Sequence, residues 1–296
     1  MDTAGSHPFR LDDFQQRAIA ALDDGRHVVV AAPTGSGKTV VAEHGIERAR
    51  SQQRRSFYTA PLKALSNQKF VDFTARYGAG EVGLLTGDTS IAGDAPTVVM
   101  TTEVLRNMIY GESPALRDLG AVVLDEVHFL QDAYRGPVWE EVIIHLPTDV
   151  QLICLSATVS NAGELAAWIE TVRGPTTSIV ETTRPVDLDD YYLVDDRTDE
   201  RLHFLPTFVD GVPNEAAARL DQSAVRRGGR GGSAQSTHRQ GRRGVQGSGR
   251  RRLATPSRLD VVDVLQRHDM LPAIVFVFSR NQCDQAAATV LASGVQ

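Results

Sequence analysis

The sequence predicts an α/β fold: a parallel β-sheet with helices on both faces, then a disordered Gly/Arg linker and the start of a second α/β domain. Three observations predict it. Short β-branched runs alternate with longer helix-compatible stretches from His27 onward. The runs are almost continuously Val, Ile and Leu, as in strands buried on both faces. A tract of Gly, Arg, Ser and Gln then breaks the pattern before it resumes near the end of the 296 residues.

In order, the predicted strands are His27–Ala31, Phe57–Ala60, Glu81–Leu85, Thr97–Thr101, Ala121–Asp125 and Gln151–Leu155. Helices are predicted at Lys38–Arg50, Leu62–Tyr77, Thr102–Tyr110, Val138–Leu146 and Ala162–Ile169. These define a first domain over 1–184. An irregular connector follows over 185–221, with a strand at Tyr191–Val194 and then an extended segment. Residues 222–258 offer almost nothing to bury, cannot offset the entropy of ordering, and are expected to be mobile. Over 259–296 a helix (Leu259–Arg267), an apolar strand (Ala273–Phe278) and a helix (Asn281–Leu291) read as the opening of a second domain, cut short. One strand and two helices cannot close a sheet.

With 42% hydrophobic and 23% charged residues the chain falls among globular proteins. Met1 to Phe14 is polar, and the longest apolar stretches, Val28–Ala32 and Ala273–Phe278, are far too short to cross a bilayer. No membrane partner and a cytoplasmic location are expected. Cys154 and Cys283 lack metal-type spacing and are expected to be two buried thiols. The net charge of −6 conceals a division. Residues 222–258 hold ten Arg and no acid; the remaining 21 basic and 37 acidic residues give −16. That Arg tract is either a solvated linker or a holder of phosphates, and with no Phe, Tyr or Trp it cannot stack bases on aromatics.

The strongest chemical signal is Ala32-Pro33-Thr34-Gly35-Ser36-Gly37-Lys38-Thr39, between a predicted strand and helix. Gly35 and Gly37 let backbone N–H groups converge on phosphate oxygens. Lys38 supplies a point charge for the outer phosphates and Thr39 a hydroxyl for Mg²⁺. Ala32 stands where the general pattern has its first Gly. Next, Val122-Val123-Leu124-Asp125-Glu126-Val127-His128 delivers two carboxylates at a strand's C-terminal end, where open α/β sheets bind ligands. Asp125 suits metal holding, and Glu126 the orientation or deprotonation of attacking water. Alone, such a pair is more often a solvated turn; downstream of a phosphate loop it reads as a phosphoryl-transfer site.

The Asp-Glu-Val-His box, the phosphate loop and Ser156-Ala157-Thr158 together resemble the DExH-box branch of superfamily-two helicases, closest to its Ski-like group associated with RNA processing. The resemblance implies RecA-like domains with ATP and Mg as cofactors. Leu11-Asp12-Asp13-Phe14-Gln15, preceded by Phe9, is similar to the group's adenine-recognition segment, which implies that Phe9 stacks on the base and Gln15 reads its edge. Thr59 to Gln68 (with Pro61, Lys63, Asn67 and Gln68), Thr86-Gly87-Asp88 after Leu85, and Met100 to Asn107 (with Thr101, Thr102 and Glu103) resemble the nucleic-acid-contacting motifs. Pro272 to Arg280 resembles the first motif of the second motor domain. The same likeness implies that His128 and Ser156-Ala157-Thr158 couple hydrolysis to domain movement.

Physically, hydroxyls and N–H groups at strand ends and at helix starts near Leu62 and Glu103 can meet phosphates without reading bases. Each could equally be a helix cap, as Thr102 before Glu103 could. The expected partner is single-stranded RNA or DNA, bound independently of sequence; one sequence cannot separate them, because contacts to the 2′-OH are invisible in it. A DNA repair helicase or translocase shares the same motifs. A nucleotide-gated RNA-binding module without turnover would not need Glu126, and a metabolic kinase would not carry Ser156-Ala157-Thr158 and Asn67-Gln68 in this order. The family's second-domain arginines lie in a Gln-x-x-Gly-Arg-x-Gly-Arg segment, which residues 1–296 do not contain downstream of Arg280. The Arg tract is no substitute, because a mobile loop is not preorganised. The fragment alone is therefore expected to be inactive.

Overall fold

The computed structural model describes residues 10–157, 161–225 and 253–293. Phe9, Thr158 and most of the predicted mobile tract lie outside them. Two compact units divide at Val186 and Asp187.

In the first unit an eight-stranded RecA-like sheet is built from β1 (His27–Ala31), β2 (Arg55–Ala60), β3 (Val82–Leu85), β4 (Ser90–Ile91), β5 (Thr97–Thr101), β6 (Leu119–Leu124), β7 (Gln151–Ser156) and β8 (Thr176–Val180). Spatial order is β4-β3-β5-β2-β6-β7-β1-β8, and every neighbouring pair is parallel except β3 with β4. The helices are α1 (Asp13–Asp23), α2 (Thr39–Ser51), α3 (Lys63–Tyr77), α4 (Thr102–Tyr110), α5 (Gly136–His145) and α6 (Ala162–Arg173). All six predicted strands and five predicted helices of this region form.

The period of two along a strand sorts the core into two layers. Val28 and Val30 join Phe14, Leu22, Ile46, Tyr58 and Phe73 under α1 to α3. Val29, between them, faces Leu105, Trp139, Val142 and Ile169 under α4 to α6. Strands covered on both faces cannot alternate polar and apolar residues, which is why they read as continuous apolar runs. Arg173 closes the far end of α6. Its buried guanidinium donates to the carbonyls of Ile143, Leu146, Pro147 and Val150, satisfying the turn that leads into β7. No described helix is long and apolar enough to cross a membrane.

The second unit departs more from expectation. The strand at Tyr191 runs to Asp196 as β9, and pairs antiparallel with β10 (Arg201–Pro206). A two-residue pairing of β11 (Phe208–Val209) with β12 (Val212–Pro213) follows. The predicted extended segment is then corrected to a helix, α7 (Glu215–Val225); Glu215-Ala-Ala-Ala is strong helix-forming sequence. Beyond the undescribed tract come β13 (Leu253–Ala254) on β9, α8 (Arg258–Arg267) and α9 (Arg280–Ala292). The Ser257 hydroxyl accepts from the Asp260 N–H and starts α8. Ala273–Phe278 forms no strand, a second correction. Ile274, Phe276 and Phe278 are 83%, 84% and 106% exposed, and no described strand pairs with the run. High β-propensity does not make a strand without a neighbour to bond. Cys154 is buried as expected, but Cys283 is exposed, correcting the second thiol.

Candidate functional site

The sheet order decides which motifs meet. In a parallel sheet all the C-terminal strand ends open on one edge. From β3 across to β1 that edge carries, in turn, Thr86 to Asp88, Thr101 to Glu103, Pro61 to Lys63, Asp125 and Glu126, Ser156 and Ala157, and Ala32 to Thr39. Motifs scattered over the chain thus fall into two adjacent groups. The phosphate loop and acidic pair flank β7, and the three predicted nucleic-acid motifs follow β2, β5 and β3.

The loop leaves β1 with its start held from both neighbouring strands. The Ala32 N–H donates to the Ser156 carbonyl at 3.2 Å, and that of Glu181 to the Ala31 carbonyl at 2.9 Å. Gly35 and Gly37 have φ of +82° and +83°, the left-handed region where a side chain is strained. At Gly37 a Cβ would also fall 2.6 Å from Gln15 Nε2. Lys38 turns its ammonium back onto the loop, donating to the carbonyls of Ala32 (2.6 Å) and Pro33 (2.9 Å). Burial lowers its pKa, against the opposing pull of Glu126 and Asp125. The Ser36 hydroxyl is buried with no hydrogen-bond partner.

Asp125 and Glu126 follow β6. Asp125 Oδ1 accepts from the Glu126 N–H at 2.9 Å, and its Oδ2 accepts from the buried Tyr58 hydroxyl on β2. Burial first, and then Asp125, raises the Tyr58 pKa, so the phenol stays a donor. Glu126 occupies the left-handed region at φ +53°, ψ +42°, uncommon for a residue with a Cβ. Its pKa is raised, by burial above all and then by Asp125, while His128, Lys38 and Lys69 pull it back. His128 Nδ1 lies 3.2 Å from Glu126 Oε2, within ion-pair range but without a hydrogen bond. Lys69 Nζ on α3 donates to Thr39 Oγ1 at 3.2 Å. Ser156 is fully buried at the end of β7, and its hydroxyl finds no partner.

Gln15 is 3% exposed and fully engaged. Its Oε1 accepts from the Asp12 N–H at 2.9 Å, closing the cap of α1, and its Nε2 donates to the Gly37 carbonyl at 3.2 Å. Its amide therefore braces the phosphate loop. A cleft of about 630 Å³ opens beside it, lined by Arg10, Leu11, Asp13, Ser36, Thr183 and Arg184 among others.

On the other group of strands, Lys63 and Asp88 pair at 2.9 Å, and Thr86 Oγ1 donates to Asp88 Oδ1 at 2.9 Å. Hydrogen bonds from Lys63 and Thr86 hold the exposed Asp88 carboxyl below its ordinary pKa. Gly87 sits over Lys63, and Asn67 and Gln68 are exposed on α3. Pro61, Thr101 and Thr102 are buried, Thr102 completely, and the Thr102 hydroxyl has no hydrogen-bond partner. Thr101, not Thr102, is the N-cap residue of α4, and Glu103 stands in the first turn.

Sequence reasoning did not single out Tyr58, Lys69 or the Glu181-to-Pro185 wall of the cleft. Tyr58 and Lys69 directly flank the Thr59-to-Gln68 motif, the one signal that could have drawn attention to them. The cleft wall carries no signal at all, because only the pairing of β8 with β1 brings it to the loop.

A family model described as DEAD/DEAH box helicase matches residues 12–165, just over half of the chain. "Probable helicase HelY" of Mycobacterium tuberculosis is 52% identical over 287 residues, covering 97% of this chain and 31% of the relative. The chloroplastic "DExH-box ATP-dependent RNA helicase DExH15" of Arabidopsis thaliana is 42% identical over 319 residues, covering 96% and 26%. "Superkiller complex protein 2" of Homo sapiens is 40% identical over 294 residues, covering 95% and 22%. The chain thus spans about a third or less of the length of these relatives. The matched span of the family model takes in the phosphate loop, the acidic pair and the strand-end motifs, and on this ground the chain belongs to the DEAD/DEAH box helicase family.

Proposed function

We propose that this chain is the ATP-binding motor portion of an RNA helicase, which uses Mg-dependent ATP hydrolysis to move along or separate strands. The observation that carries this reading is the convergence of Lys38, Thr39, Asp125 and Glu126 on either side of β7. Strand spacing separates β1 from β6 by about 10 Å there, room for a triphosphate.

The residues present fit a metal–nucleotide. The glycines take the left-handed backbone a phosphate-cradling turn needs, Lys38 rests on neutral carbonyls it can exchange for phosphate oxygens, and Ser36 holds an unpaired hydroxyl. Thr39 and Asp125 would hold Mg²⁺, which when bound offsets charge on the outer phosphates. Tyr58 fixes the rotation of the Asp125 carboxyl. Glu126 accepts from and orients the attacking water, the role a carboxylate with a raised pKa suits. The cleft between Arg10 and Arg184 would receive adenine; Gln15, which also braces the loop, is assigned to reading the base's edge and Phe9 to stacking on it. His128, Ser156 and Thr158 are assigned to coupling.

Residues 1–184 are assigned to the motor domain, 185–221 to a connector, 222–258 to a basic insertion and 259–296 to the opening of a second motor domain. Lys63, Asn67, Gln68, Thr86 and backbone groups at the starts of α3 and α4 would hold a single strand by its phosphates. RNA is favoured over DNA because a relative 42% identical to this chain is named an RNA helicase. Binding of one labelled 20-nucleotide sequence as RNA and as DNA, at several salt concentrations, tests this. We expect affinity to fall with salt by a slope of about 0.7 per phosphate contact, and RNA to bind more tightly. Equal affinities would return the assignment to helicase of unspecified substrate.

A further inference from the structure

Lys69 has no part in the reading above, yet it touches the centre of the site. It lies on α3 with Lys63 but behaves differently. Lys63 is exposed and paired with Asp88, whereas Lys69 is half-buried and reaches toward the nucleotide side. Its Nζ donates to Thr39 Oγ1 at 3.2 Å and lies 5.9 Å from the centroid of the Tyr58 ring, whose hydroxyl donates to Asp125. One ammonium therefore sits on the hydroxyl assigned to the metal, beside the ring whose phenol holds Asp125.

A threonine oxygen can give a lone pair to a proton donor or to a cation, but a monovalent and a divalent cation at hydrogen-bond range repel strongly even at a protein's effective dielectric. Lysine suits exchange: its charge is compact and its stem flexible. We propose that Lys69 is a place-holding cation, which occupies the metal's side of Thr39 and must surrender Thr39 Oγ1 before a metal can take it. Lys69 thereby sets the Mg²⁺ concentration that nucleotide binding requires. This rests on the assignment of Thr39 and Asp125 to the metal.

The test is a titration of the 296-residue chain with a fluorescent ADP analogue across free Mg²⁺ concentrations, and again in EDTA. Lys69→Met should lower the Mg²⁺ concentration for half-maximal binding by at least ~3-fold and leave binding in EDTA unchanged. Lys69→Arg, which keeps the charge, should stay near the parent. If Lys69→Met does not fold, as thermal melting would show, Lys69→Gln carries the test with the same shift expected. A midpoint that stays or rises overturns the proposal. So does equal weakening with and without Mg²⁺, which would make Lys69 a phosphate ligand. Lys38→Ala is the control. If the parent binds no nucleotide, or Lys38→Ala binds as well as it does, the nucleotide site and this proposal both fall. If the control behaves and only the Mg²⁺ midpoint fails to move, the site stands and the proposal alone is wrong.

Discussion

In a protein that includes this chain and the remaining length of its relatives, Glu126→Gln should cut ATP turnover by at least ~100-fold while leaving ATP affinity near normal. Glutamine keeps the shape of the side chain and its ability to hydrogen-bond, but lacks the charge that orients and deprotonates water. Two features of the site separate Glu126 from the binding machinery. Its carboxyl is attached to no part of the phosphate loop by a hydrogen bond, and its neighbour Asp125 alone receives the Tyr58 phenol. Glutamine can take the same left-handed backbone that Glu126 has, so a loss of turnover is not expected to reflect a loss of local fold, which equal melting of parent and variant would check. The raised pKa gives a second readout. Glu126 must be ionised to work, so turnover should fall as pH drops, beginning above the ordinary carboxylate range. Parallel loss of affinity and rate in Glu126→Gln would show that the residue holds nucleotide, and would undo the role proposed for it.

Residues 1–296 alone should bind Mg-ATP weakly and show negligible nucleic-acid-stimulated hydrolysis. Phosphoryl transfer spreads negative charge over the equatorial oxygens, and preorganised cations must meet it from more than one side. The first unit supplies Lys38 on one side. The resemblance places further arginines in a second-domain motif that these residues do not contain. Loss of such an arginine from related sites costs on the order of 10³–10⁵ in rate. A coupled assay on the purified chain, with single-stranded RNA added, decides it. Robust stimulated turnover that Glu126→Gln abolishes would mean the cation comes from within residues 1–296.

The parallel core was legible because its physics is local. Doubly covered strands are mainly apolar, with a few buried polar residues such as Ser56 and Thr97, so β1, β2, β5, β6 and β7 announce themselves, and the phosphate loop and acidic pair follow two of them directly. What could not be read depended on distant partners. β8 is a Thr-rich edge strand with only Thr176 and Ile179 buried, and its pairing with β1 makes the cleft wall. Ala273–Phe278 had the composition of a strand and lacked the neighbour. Thr101 and Thr102 looked like surface hydroxyls, yet the close packing of α4 on β5 buries both. The contacts of Tyr58 with Asp125 and of Lys69 with Thr39 cross 67 and 30 residues of sequence, and no spacing rule reaches them.

On the reading proposed above, the loop after β1 binds nucleotide through Lys38. Calorimetric titration of ATP with Mg²⁺ into the 296-residue chain, parent and Lys38→Ala side by side, tests it most directly. The expected result is saturable, Mg-dependent binding of about one nucleotide per chain by the parent, and none detectable by the variant, with both melting alike. Binding of equal strength in the variant would contradict it, because the charge that turns back onto Ala32 and Pro33 would then have no part in holding phosphate.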